Sequence, residues 1–147
     1  MTDGQRLSIE QLKEVVLRDS HAIDIEDLKE PESDNHGLAV EVSIHCGQLQ
    51  KAAGGLPLRE RERFTISVPP AFPFQKPEIW VPHTRFAGSP HVQWSRYLCL
   101  YQAPQTEWNP EDGIFGFIDR LDLWLKRGAL NQLDADGEPL HPPGGIF

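Results

Sequence analysis

Two cysteines in 147 residues, Cys46 and Cys99, are too few to build a disulfide scaffold, so the chain must be held by a hydrophobic core. No apolar run approaches the roughly 20 residues needed to cross a bilayer, which excludes a membrane-spanning protein. The first ten residues, MTDGQRLSIE, lack a basic start followed by an apolar stretch, and a reducing, cytoplasmic setting is expected. Runs of Lys and Arg are also missing. The net charge is −8 and the densest set of cations is the spaced Arg59, Arg61 and Arg63, too little to neutralise a phosphate backbone, so nucleic-acid binding is not expected. Cys46, His83, His91, Cys99 and His141 include no CxxC or HxxxH pair, and no Gly-rich turn follows a strand. Neither a metal nor a cofactor is expected.

What is present suits one compact domain: 39% hydrophobic and 24% charged residues in a mass of 16.6 kDa. The charge is unevenly spread. Residues 1–36 carry a net −6 and residues 111–147 a net −4, while residues 37–110 carry a net +2. Such acidic ends ordinarily serve solubility.

Ser8, with Gln11 three residues on, reads as a capping box opening a helix whose apolar positions are Ile9, Leu12, Val15 and Val16. Alternation then takes over. Ile23 and Ile25 alternate with acidic residues; Leu38, Val40, Val42, Ile44 and Cys46 share one face against Glu41, Ser43 and His45; Phe64, Ile66 and Val68 share another. Cys46 is thereby expected to point into the core. A short fourth strand, Glu78–Val81, follows the Pro69-Pro70 break, and short connections predict an antiparallel meander. From Pro82 to Pro110 periodicity vanishes in about thirty residues rich in Pro, aromatics and His, a long irregular stretch of the kind that usually carries function. Helical spacing returns with Ile114, Phe117, Ile118, Leu121, Trp124 and Leu125, ending near Gly128. The expected fold is α+β, with helices covering one face of an antiparallel sheet over residues 1–135, and a Pro/Gly-rich tail or linker over 136–147.

Cys99 lies in the irregular stretch, within Tyr97-Leu98-Cys99-Leu100-Tyr101. Cysteine is the strongest side-chain nucleophile near neutral pH when its loop is partly exposed, and inert when packed. From the residues alone both roles stay open. His91 is close enough in sequence to suggest a Cys–His pair, but no protease signature surrounds it. Glu111-Asp112 reads as a helix start interacting with the helix dipole.

The run Val68-Pro69-Pro70-Ala71-Phe72-Pro73-Phe74-Gln75-Lys76-Pro77-Glu78-Ile79-Trp80-Val81, then His91, Leu98-Cys99-Leu100, Trp108-Asn109-Pro110 and a helix, resembles the ubiquitin-conjugating enzyme family over roughly residues 8–130. The resemblance implies that Cys99 forms a thioester with a protein C-terminus. It sets His91 on the His of the family's His-Pro-Asn motif and Gln93 on its Asn, where this chain reads His91-Val92-Gln93. Gln93 then either donates its amide to the tetrahedral oxyanion or braces the loop. Trp108 and Asn109, with the carboxylates Glu107 and Asp112, fall along the acceptor side as substrate-binding residues, or the acids are plain surface groups. The first helix is where the family meets its activating enzyme, and here it mixes Glu10, Lys13, Glu14, Arg18 and Asp19.

The altered motif spacing and the Asp136–Pro143 tail look most like the bacterial branch found in anti-phage operons of the CBASS type, stand-alone or fused ahead of an activating domain. The partners implied are an activating-enzyme domain, a donor C-terminus from a cyclic-nucleotide synthase or a ubiquitin-like protein, and a target amine. A catalytically inactive relative that only binds proteins is the competing class.

Overall fold

The computed structural model describes residues 1–89, 92, 96–101, 103–133. Helix α1 (Asp3–Arg18) leads into strands β1 (Ile23–Lys29), β2 (Leu38–His45), β3 (Arg61–Val68) and β4 (Glu78–Trp80), and then come the four-residue helix α2 (Pro104–Glu107), a 3-10 turn (Pro110–Asp112) and the long helix α3 (Gly113–Ala129). The four strands pair antiparallel in chain order β1-β2-β3-β4, the meander expected from the alternation. In register, Val42 faces Phe64, Val40 faces Ile66, and Ile66 faces Ile79, so the apolar positions stack on one face. Ile114, Phe117, Leu121, Trp124 and Leu125 of α3, with Leu12 of α1, cover that face. Phe117 and Leu121 are essentially sealed, and each contributes about 1.5–3 kcal/mol by leaving water.

Three details depart from the sequence reading. The first helix begins at Asp3, five residues before Ser8: Thr2 accepts a hydrogen bond from the Gln5 amide while Gln5 Oε1 accepts one from the Thr2 amide. The capping box is therefore Thr2–Gln5 and not Ser8–Gln11. Ser8 lies inside the helix, buried, its hydroxyl donating to the Gln5 carbonyl. Ser43 is buried although its neighbours in alternation point outward, because Glu26 and Arg61 close over it, the hydroxyl donating to Glu26 at 2.6 Å and accepting from Arg61 at 2.9 Å. The stretch 82–110 also contains α2, and isolated bridges join Trp80 to Tyr97 and Val92 to Leu98.

Gln11 has a different task from the one its spacing suggested. Helix α3 has no side-chain cap of its own, and Gln11 Oε1, reaching across from α1, accepts from the Ile114 amide at 2.9 Å. Gly113, at φ +57°, is what permits this, since a Cβ there would lie 2.6 Å from that oxygen. At its other end α3 is closed by the loop between β2 and β3, where Ala52 and Leu56 donate to the carbonyls of Ala129 and Gly128.

Candidate active site

The segment carrying Cys99 leaves β4 and runs back beside it. Leu98 donates to the Ile79 carbonyl at 2.9 Å, Val81 donates to Arg96 at 3.1 Å, and the rings of Trp80 and Tyr97 meet at 5.3 Å. Leu98 and Leu100 are buried while Cys99 between them is only partly so, the signature of an extended segment with two inward anchors and one outward side chain.

Beyond the cysteine the chain is fastened to α3. Arg120 donates to the Leu100 carbonyl at 3.3 Å and to Glu107 at 2.8 Å, and its guanidinium lies 4.6 Å over the Tyr101 ring. Tyr101 in turn stacks on Phe117 and meets Trp108 edge-on at 5.8 Å. Burial pushes its phenol up to about 12, so it stays protonated through neutral pH. Trp108 Nε1 donates to the Pro73 carbonyl at 2.9 Å, tying the stretch after the cysteine to the Pro-rich turn before β4. Glu107 also accepts from the Ala103 amide at 2.8 Å, closing α2 on itself. Asn109 caps the 3-10 turn by accepting from Glu111, and Asp112 is exposed at the start of α3.

The predicted residues thus divide. Trp108 and Glu107 belong to one network with Tyr101, Arg120 and the residue after Cys99; Asn109 and Asp112 shape the entry to α3. His91, Gln93 and the segment 136–147 lie outside the described residues. The sequence reading missed Arg120, whose signal was a cation three residues from Phe117 at the edge of the apolar stripe of α3.

It also missed a buried polar cluster at Cys46. Glu62 is 1% exposed; it receives two hydrogen bonds from Arg85, at 2.6 and 2.9 Å, and one from the Arg59 amide at 2.7 Å. Burial alone would raise its carboxyl, but the Arg85 and Arg59 bonds prevail and hold it below its ordinary value. His83 accepts from the Arg85 amide on Nδ1, so Nε2 carries the proton and faces Glu62 at 3.5 Å. Desolvation and the Arg85 charge hold His83 below its ordinary value. Burial, with the Glu62 charge second, pushes the Cys46 thiol up to about 11. Among the described residues no three His, Cys, Asp or Glu side chains converge to hold a metal, and no helix is long and apolar enough to cross a membrane.

A helix, a four-stranded meander, a fastened cysteine segment and a covering helix together make the ubiquitin-conjugating fold. The solved structure of human ubiquitin-conjugating enzyme E2 G1 matches it with a TM-score of 0.56 at 17% sequence identity, over 84% of this chain and 94% of that one. The family model for Prokaryotic E2 family A matches residues 8–144, and the chain belongs to that family. Comparison with curated proteins gives no match. Fold and family together support a ubiquitin-conjugating-like role.

Proposed function

We propose that the protein is an acyl carrier: Cys99 accepts a protein C-terminus as a thioester from an activating enzyme and passes it to an amine of a target. The observation that carries this reading is the placing of Cys99, partly exposed between two buried leucines on a segment fastened to β4 on one side and to α3 on the other. A transfer between two large partners needs a nucleophile held still at a surface, because orientation supplies much of the rate.

In the first step the Cys99 thiolate attacks the donor's thioester carbonyl, the tetrahedral intermediate collapses, and the activating enzyme's thiolate leaves. In the second, a target amine attacks the new thioester, the amine proton passes to solvent or a carboxylate, and the Cys99 thiolate is expelled as the amide forms. By resemblance to the family motif, Gln93 is assigned to the oxyanion or to bracing the loop, and His91 to the place of the motif's His. Glu107 is held by the Ala103 amide and Arg120, so the orienting of an amine is assigned to Asp112, which is exposed at the start of α3. The reading extends to a bacterial anti-phage setting in which a cyclic-nucleotide synthase supplies the C-terminus, with a ubiquitin-like protein as the other donor.

Incubation with ATP, an activating domain and each donor in turn, followed by a non-reducing gel, tests this. The expected result is an adduct cleaved by thiol, lost in Cys99→Ala and kept in Cys46→Ala. No adduct with either donor would favour a binding module instead.

A further inference from the structure

Away from Cys99, the C-terminal turn of α1, the first residue of β1 and one face of α3 enclose a half-open cavity of about 310 Å³. That is the low end of the range for pockets that take a small molecule or inserted side chains. Its walls are mainly apolar, with Val15, Ile23, Phe115 and Ile118 among them. The polar residues of the lining are Asp19, Asp119 and Asp122 against the single cation Arg18. Arg18 is already engaged, bonded to Glu14 at 3.1 Å and lying 5.2 Å over the Phe115 ring, and Asp122 is bridged to Lys126 at 2.7 Å. Asp19 accepts from the Ala22 amide, and Asp119 makes no ion pair among the described residues.

An apolar slot edged by carboxylates selects against acidic and purely polar partners and for a segment that is both greasy and basic. We propose that this groove docks a partner-protein segment that inserts an apolar side chain against Phe115 and Ile118 and sets Lys or Arg side chains opposite Asp19 and Asp119. The surface is independent of the acyl chemistry, and docking stands whether or not Cys99 is loaded. A partner of this kind is held by apolar burial and steered by charge, so its affinity falls as salt rises.

The test uses the full chain and two fluorescein-labelled amphipathic peptides, one of Leu and Lys, the other of Leu and Glu, followed by anisotropy and by amide chemical-shift mapping. The Leu–Lys peptide is expected to bind and to shift Ala22, Phe115 and Ile118, while the Leu–Glu peptide does not bind. Asp119→Lys weakens binding roughly tenfold or more. Glu30→Lys, the same charge change at the far end of β1, leaves it within about twofold. Ala22→Trp fills the slot and abolishes binding, with circular dichroism confirming that all three variants remain folded. Equal weakening by Asp119→Lys and Glu30→Lys would mean general attraction to an acidic chain and overturn the proposal. So would shifts centred elsewhere, absence of binding, or Overhauser contacts from Phe147 to Phe115 in the free chain, which would make the occupant the protein's own C-terminal segment.

Discussion

The two cysteines mark two neighbourhoods with the same parts and opposite outcomes. Each has a Glu–Arg pair near it, and Cys46 directly follows β2 while Cys99 lies on the irregular stretch beyond β4. At Cys46 the pair is Glu62–Arg85, with the carboxylate sealed from solvent, and the thiol is buried and pushed far toward its protonated form. Near Cys99 the pair is Glu107–Arg120, about a third exposed on both sides, and its arginine spends further donors on a main-chain carbonyl. One neighbourhood spends its polar groups on holding a fold shut; the other spends them on holding a backbone in place beside water. A difference in reactivity between the two thiols would therefore come from their surroundings, since the side chain is the same.

The largest expected effect breaks the first neighbourhood. Glu62→Ala leaves Arg85 partly buried without its carboxylate and is expected to cost about 3–5 kcal/mol in chemical denaturation. A cost below about 1 kcal/mol would show that the two pairs are energetically alike. Next in size is the contrast between the thiols. With its pKa near 11 and its side chain sealed, Cys46 should alkylate at least about a hundredfold more slowly than Cys99 in the native protein, read by mass spectrometry, and catch up only in denaturant. Comparable native rates would erase the distinction.

Smaller effects sharpen it. Gln11→Ala removes the cap on α3 and should cost about 1 kcal/mol. Glu107→Ala opens a pair about a third exposed and should cost less than about 1 kcal/mol, while lowering thioester formation more than stability through the freed Arg120. The smallest is a pH effect. His83 is held below its ordinary value of 6.5 in the folded chain, so the unfolded chain binds more protons just below that pH; the stabilisation is complete above 6.5 and is lost as pH falls toward the folded value. Glu62, also depressed, adds loss of the same sign below its ordinary 4.5. Denaturation midpoints should therefore drop between about pH 7 and about pH 5, and His83→Asn should flatten that slope.

The strands and α3 were legible because burial on one face imposes a period, and Phe64-Ile66-Val68 or Phe117-Leu121-Trp124 display it without ambiguity. Cys99 was singled out through its resemblance, while its partial burial between Leu98 and Leu100 came only from the structure. The true start of α1 was not, since its first turn, Asp3–Arg6, carries no apolar residue and Ser8–Gln11 matches the same capping pattern as Thr2–Gln5. Glu62 was readable in principle: it occupies the inward register of Phe64, Ile66 and Val68, and a carboxylate there demands a cation from elsewhere. Which cation was beyond the sequence, because Arg85 lies 23 residues away on an irregular loop. The same holds for Arg120, whose task depends on where the Leu100 carbonyl arrives.

The bond from Gln11 to Ile114 spans 103 positions. During synthesis α1 emerges before the four strands and α3 after them, so the helix that fastens the Cys99 segment is completed by a residue that precedes the whole sheet. A nascent chain lacking α3 has the sheet and Cys99 but neither the Arg120 tether nor the apolar cover, and the cysteine gains its fixed setting only when α1 and α3 close together.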